Sequence, residues 1–133
     1  MKYPYPTSIT RVTSIGGGPI GGGWAAHFLA RGYDVTSYLH DSAEEGAFRT
    51  ILDTAWISLT ALGLAPGASL DRLRVVHDLD AAVEGAGFIQ ESAPENLAMK
   101  QALYHRLGRI VPETVVIGSS TSGLMMTDIQ ANC

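Results

Sequence analysis

Cysteine is nearly absent from this 133-residue chain. Cys133 is the one thiol, so no disulfide can form within the chain. Basic side chains are scarce too. Nine Lys and Arg against thirteen Asp and Glu give a formal net charge of −4. The nine are spread thinly, with no stripe to hold a nucleic-acid backbone, so no nucleic-acid partner is expected. No apolar run approaches the length of a membrane span, and the opening MKYPYPTSIT lacks the apolar core of a signal peptide. The expectation is a soluble cytoplasmic protein with no membrane partner. Low-complexity tracts, internal repeats and long linkers are also missing. With 46% hydrophobic residues, the chain is able to bury the core of one domain.

What is present is an alternation of two periods. Short β-branched or apolar runs occur at Ile9–Ile15, Val35–Tyr38, Val75–Val76, Phe88–Ile89 and Thr114–Ile117. Helical patterns lie between them. Ile20–Arg31 carries Ile20, Trp24, Phe28 and Leu29 at helical spacing. Ser42–Leu62 opens on a Ser-x-x-Glu capping signature, Ser42 with Glu45, and continues through Phe48, Leu52, Trp56 and Leu59. Asp78–Val83 reads as a short helix and Asn96–Ile110 as a longer one, with Leu103, Leu107 and Ile110 on one face. Trp24 and Trp56 read as core residues. Strand–helix alternation predicts an α/β fold, a doubly wound, mainly parallel sheet of six strands or slightly fewer with helices on both faces.

Six glycines fall between Gly16 and Gly23, after the first strand and at the start of the first helix. Ordering glycine costs chain entropy, so the run needs a reason. In Gly16-x-Gly18-x-x-Gly21 each glycine has one. Gly16 permits the tight turn, Gly18 lets a pyrophosphate approach the backbone, and Gly21 lets helix and strand pack closely. The phosphates then meet unpaired N–H groups at the positive helix end. The bland alternative is a tight strand–helix connection. The small-residue continuation Gly22, Gly23, Ala25 and Ala26 favours the dinucleotide.

Three stretches carry a wider resemblance: GGGPIGGGWAAHFLARGYDV, LGLAPGASLDRLRVVHDLDAAVEGAGFIQESAPENLAMKQALYHRLG and VVIGSSTSGL. In this order, over most of residues 11 to 124, the chain resembles the 3-hydroxyacyl-CoA dehydrogenase superfamily, most closely its L-carnitine dehydrogenase branch. The resemblance implies a Rossmann-type fold, NAD as cofactor, and oxidation of a 3-hydroxy group to a ketone by a two-domain, usually homodimeric enzyme. It implies that Gly16, Gly17, Gly18, Pro19, Ile20 and Gly21 hold the pyrophosphate. Glu95 and Lys100 match a pair near the nicotinamide end, Ser120 stands where many members have an Asn beside that ring, and Ser122 matches the serine that bonds the substrate hydroxyl. No metal is implied. Residue chemistry alone leaves blander readings open. Ser119 to Gly123 reads equally as a polar turn, Glu91 as an exposed carboxylate, Glu95 as a carboxylate favoured at a helix start, and Lys100 as a solvated helix residue.

Two departures stand against the resemblance. The residue that would bond the adenosine ribose 2′-hydroxyl should end the second strand, and Leu39 occupies that place. Losing a charged hydrogen bond of about 1.5–3 kcal/mol weakens NAD roughly ten- to a hundredfold. Asp41 is a substitute if the loop turns back. His40 would suit a 2′-phosphate, but with no arginine close in sequence NADP is the less favoured cofactor. The second departure is an absence. The family's catalytic histidine, with the glutamate and asparagine beyond it, would follow the serine loop and is not in the chain. His27, His40, His77 and His105 read as surface or packing residues. Residues 1–133 therefore read as the dinucleotide-binding domain, without the C-terminal catalytic and dimerisation domain and inactive alone.

The substrate class follows from a further scarcity. CoA phosphates are usually met by Lys or Arg, yet Ser42 to Ser69 contains only Arg49 as a base. That disfavours CoA and fits a small cationic 3-hydroxy substrate such as carnitine. The alternative from another class is a non-catalytic nucleotide-binding relative, as in the crystallin-like members of the superfamily.

Overall fold

The computed structural model describes residues 3–131 and 133. Five strands form one sheet: β1 (Arg11–Ile15), β2 (Asp34–Tyr38), β3 (Leu73–Val76), β4 (Phe88–Glu91) and β5 (Val116–Ser119). All neighbours pair in parallel, in the order β3-β2-β1-β4-β5. Parallel pairing requires a crossover between successive strands. The crossovers carry the helices α1 (Pro19–Ala30), α2 (Glu45–Leu62), α3 (Leu79–Val83) and α4 (Leu97–Ile110), and α5 (Met126–Ile129) follows β5. The sheet has five strands, the smaller outcome of the sequence expectation.

Side chains alternate across a strand, so a sheet covered on both faces needs two cores. Both are present. Ala25, Ala26 and Leu29 of α1 pack with Val35, Leu39, Phe48 and Leu52. On the other face Ile15 and Ile89 pack with Leu79, Val83 and Leu107. Phe88, one residue before Ile89, turns the opposite way and meets the Phe28 ring at 6.2 Å. The polar residues of β1 are satisfied in the same alternation. Thr13 Oγ1 donates to the Ala82 carbonyl at 2.5 Å, and Ser14 Oγ to that of Gly21 at 3.2 Å.

Four expectations are corrected. On α1 the buried residues are Gly21, Gly22, Ala25, Ala26, Leu29 and Ala30, while Ile20 is 60% and Trp24 39% exposed. Small residues win that face because α2 lies so close that a Cβ on Gly22 would stand 2.6 Å from Ile51. Trp24 is therefore not a core residue, whereas Trp56 does pack against the α1–α2 core. The capping box sits one residue earlier than Ser42 and Glu45. Asp41 accepts from Ala43 N and Glu44 Oε2 accepts from Asp41 N, ahead of a 3-10 turn at Ser42–Glu44. Finally, Glu91 and Lys100 are 0% and 1% exposed, so neither is a solvated side chain. Among the described residues, no helix is long and apolar enough to cross a membrane.

Candidate functional site

The chain leaves β1 towards β2 on one side and reaches β4 on the other, so the carboxyl ends of β1 and β4 flank a topological switch point. Ligands of open α/β sheets bind at such crevices. The glycine loop lies there. Gly16 has φ +125°, a conformation side chains rarely adopt, and a Cβ on it would stand 2.5 Å from the Ser92 carbonyl oxygen just past β4. Gly21 backs directly onto the Gly16 carbonyl, leaving no room for a Cβ. These two glycines are required by the protein's own packing.

Gly18 is different. It is the N-cap of α1, and a Cβ built on it would meet nothing within 4 Å. No Gly18 side chain exists to cap the helix, Pro19 occupies the first turn, and no acidic residue lies there. The helix start is thus uncapped, with its positive end beside open space at a bare backbone. A pyrophosphate fits this arrangement on shape and on charge. Beside it a cavity of about 410 Å³ is bounded by Gly16, Gly17, Tyr38, His40 and Glu44, and by Pro94 and Met99 across the crevice.

Across the switch point, β4 ends in a buried carboxylate. Glu91 Oε2 accepts from Lys100 Nζ at 3.0 Å and from Ala93 N at 2.7 Å. Its Oε1 accepts from Ser119 Oγ at 2.5 Å and from Tyr104 OH at 3.1 Å. Lys100 reaches on to Glu95 Oε1 at 2.9 Å. Glu95 Oε2 in turn accepts from Thr121 Oγ1 at 3.0 Å and Gly123 N at 3.4 Å, fixing the loop after β5. Burial works against the Lys100 charge. The hydrogen bonds it donates to Glu95 and Glu91 outweigh that, and its pKa lies above the ordinary lysine value. The Lys100 ammonium, with the Thr121 hydroxyl, holds Glu95 below the ordinary carboxylate value. Burial first, and the Glu91 charge next, raise the Tyr104 phenol, which serves as a neutral donor.

The sequence-predicted residues fall into three groups. Gly16 to Gly21 form the loop described above, with Gly18, Pro19 and Ile20 exposed. Glu95, Lys100 and Ser120 are tied into one polar network. Ser120 N donates to the Glu91 carbonyl, and its Oγ accepts from Gln90 Nε2 at 2.9 Å and shares a hydrogen bond with Ser92 Oγ at 2.8 Å. Ser92 N donates to the Ile15 carbonyl at 2.7 Å, which joins this network to the glycine loop. Ser122 stands apart, exposed at the bend after Thr121. Glu91, Tyr104 and Ser119 are absent from the sequence-based set. A signal existed, since Lys100, Tyr104 and Leu107 share one helical face and all three are buried.

Leu39 is fully buried against Val35, Phe48 and Leu52, and its Cδ2 would stand 3.1 Å from a Cβ on Gly17. The Asp41 carboxylate is engaged by Ala43 N at 2.9 Å.

The NAD-binding domain of 3-hydroxyacyl-CoA dehydrogenases matches residues 11–133 of the chain. The chain belongs to that family. It is 53% identical over 125 residues to an L-carnitine dehydrogenase of Streptomyces coelicolor, covering 94% of this chain and 39% of the relative. An L-carnitine dehydrogenase of Streptomyces griseus subsp. griseus is 54% identical over 127 residues, covering 94% and 37%. A solved structure, the NAD+-dependent dismutase 5-formyl-3-hydroxy-2-methylpyridine 4-carboxylic acid 5-dehydrogenase, superposes with a TM-score of 0.83 at 33% identity. That match covers 93% of this chain and 40% of the other. This NAD-binding domain therefore spans about 39% of the length of such a curated relative.

Proposed function

We propose that the chain supplies the cofactor-binding domain of an NAD-dependent dehydrogenase that oxidises the 3-hydroxy group of carnitine or a carnitine-like substrate. The observation that carries the cofactor part is Gly18, an N-cap without a side chain whose missing Cβ points into open space over an uncapped helix start. Gly16 to Gly21, with Pro19 and Ile20 in the first turn, hold the pyrophosphate. Glu95 and Lys100 position the nicotinamide end, Ser120 lies beside it, and Ser122 bonds the substrate hydroxyl. Bound NAD supplies the hydride acceptor. The proton of that hydroxyl needs a base, and a positioned base contributes about 10²–10⁴ in rate. Ser122 hydrogen-bonds no histidine among the described residues, so the base belongs to the part of the relatives that this chain does not span.

The carnitine-like substrate is supported by the two Streptomyces relatives and by Arg49. This single base between Ser42 and Ser69 is paired with Glu45 at 3.3 Å, so the segment offers CoA phosphates little positive charge. Residues 1–133 act as one dinucleotide-binding domain of a cytoplasmic homodimer whose second domain closes the site.

A chimera tests the whole reading: this chain joined to the remaining segment of the S. coelicolor relative. The expected result is NADH formation with L-carnitine and little with 3-hydroxybutyryl-CoA. A folded chimera that binds NAD but leaves carnitine untouched, under conditions where the parent relative turns over, defeats the substrate assignment.

A further inference from the structure

The second strand of a dinucleotide-binding fold ordinarily ends in a carboxylate that accepts a hydrogen bond from the adenosine ribose. Here that position is Leu39, turned fully into the core beneath Gly17. We infer that Glu44, brought back over Gly17 by the Asp41 capping box, is the ribose acceptor in its place and sets the preference for NAD over NADP. The inference rests on the NAD reading above.

Three observations point to Glu44 rather than to its neighbours. Its carboxylate lines the cavity that Gly16 and Gly17 also line, beside His40. A Cβ built on Gly17 would stand 3.4 Å from Glu44 Oε1, so this oxygen lies directly over the glycine loop. The two oxygens are also divided in labour. Oε2 accepts from Asp41 N at 3.0 Å, which fixes the side chain, while Oε1 accepts from no described residue. The competing carboxylate, Asp41, accepts from Ala43 N through Oδ1 and does not line that cavity. A charged acceptor held by one oxygen and free at the other suits a hydroxyl donor.

The same placement opposes NADP. A 2′-phosphate would bring its negative charge against Glu44, with only His40 and one arginine in the lining to compensate. That arginine, Arg106, is directed to Asp80 at 3.1 Å and Asp78 at 3.8 Å.

Calorimetric titration of the chain with NAD, NADP and NAD lacking the adenosine 2′-hydroxyl tests the inference. The unsubstituted protein should bind NAD about three- to tenfold more tightly than the deoxy compound, a comparison that needs no variant. Glu44→Gln keeps an oxygen for Asp41 N but loses the charge. It should bind NAD and the deoxy compound about equally and narrow the gap between NAD and NADP. Glu45→Gln removes a neighbouring charge outside the cavity and should leave the NAD to NADP ratio unchanged. A Glu44→Gln protein that keeps both the deoxy discrimination and the parental ratio overturns the inference, leaving Glu44 as a helix cap only. An equal shift in Glu45→Gln overturns it too, since the effect is then general electrostatics. If the unsubstituted chain binds neither nucleotide, the NAD reading itself fails and the inference with it.

Discussion

Lys100 Nζ lies 3.0 Å from Glu91 Oε2, and the two side chains are 1% and 0% exposed. A buried ion pair is weak evidence of stability in itself, but removing one partner strands the other charge. Here the acid ends β4, the base sits on α4, and Ser119 of β5 and Tyr104 complete the shell. Lys100→Met should therefore destabilise the domain by about 3–5 kcal/mol, read from urea unfolding. Its other effect should be at the site, because Glu95 loses the cation that holds it. A Lys100→Met protein as stable as the parent would mean that the Glu91 carboxylate does not depend on Lys100.

Glu95 gives that arrangement a pH dependence. Its carboxyl is held below the ordinary value of 4.5, first by Lys100 and then by Thr121. A depressed folded-state pKa contributes stability that is present above the unfolded value and lost as pH falls through the folded one. Unfolding midpoints should thus fall below about pH 4.5 in the parent, with a shallower fall in Glu95→Gln. Glu95 is half exposed at 46%, so the difference should be small and shrink further in salt. Equal slopes in the two proteins would remove Glu95 from the acid limb.

Gly18 and Gly21 should separate binding from folding. Gly18→Val places a side chain where nothing in the protein stands, at a φ of −83° that valine tolerates. It should abolish NAD binding with little change in the melting curve. Gly21→Ala drives a Cβ into the Gly16 carbonyl and should lower stability before any ligand is added. Calorimetry with NAD and thermal melts of both variants decide the matter. An unchanged NAD affinity in folded Gly18→Val would remove the pyrophosphate from this loop.

The contrast between those glycines also marks how far the sequence could be read. Strand positions, helix spans and the Gly-x-Gly-x-x-Gly turn rest on local period and local backbone freedom, and all appear in the fold. The face that α1 presents does not follow from its largest residues. Ile20 and Trp24 lie outward because Ile51 of α2 comes too close to Gly22 for a side chain. The burial of Lys100 has the same origin. A lysine reads as solvated until Glu91 and Glu95, nine and five residues away in sequence, are seen to converge on its ammonium. Glu44 was hidden by a one-residue shift of the capping box, which tertiary packing fixes and the Ser-x-x-Glu pattern does not.

Leu39→Asp tests the burial that makes Glu44 necessary. The substitution removes a fully buried leucine from contact with Phe48 and Leu52. Losing that apolar burial should cost about 2–4 kcal/mol, measured by urea unfolding. A variant as stable as the parent would show that residue 39 turns out of the core freely.

The last prediction concerns what residues 1–133 do alone. They should bind NAD and fail to oxidise carnitine or any other 3-hydroxy acid. The parts proposed for the cofactor, the glycine loop, the α1 start and the Glu91, Lys100 and Glu95 network, are all assembled within the chain. Hydride transfer needs more. The hydroxyl proton must leave as the hydride does, and Ser122 stands exposed with no histidine bonded to it among the described residues. His27 is edge-on to Trp24, and His77 Nδ1 is 3.0 Å from the Leu39 carbonyl, both engaged away from that loop. Without a wall to exclude water, the reacting carbon is not held against the nicotinamide, and the gain from positioning is lost. The assay follows NADH absorbance with carnitine and 3-hydroxybutyrate, on protein freed of host dehydrogenases, beside a calorimetric titration with NAD. NAD binding without turnover is the expected outcome. Turnover that disappears in Ser122→Ala would show that the chain holds its own base, with exposed His105 on α4 the first residue to substitute.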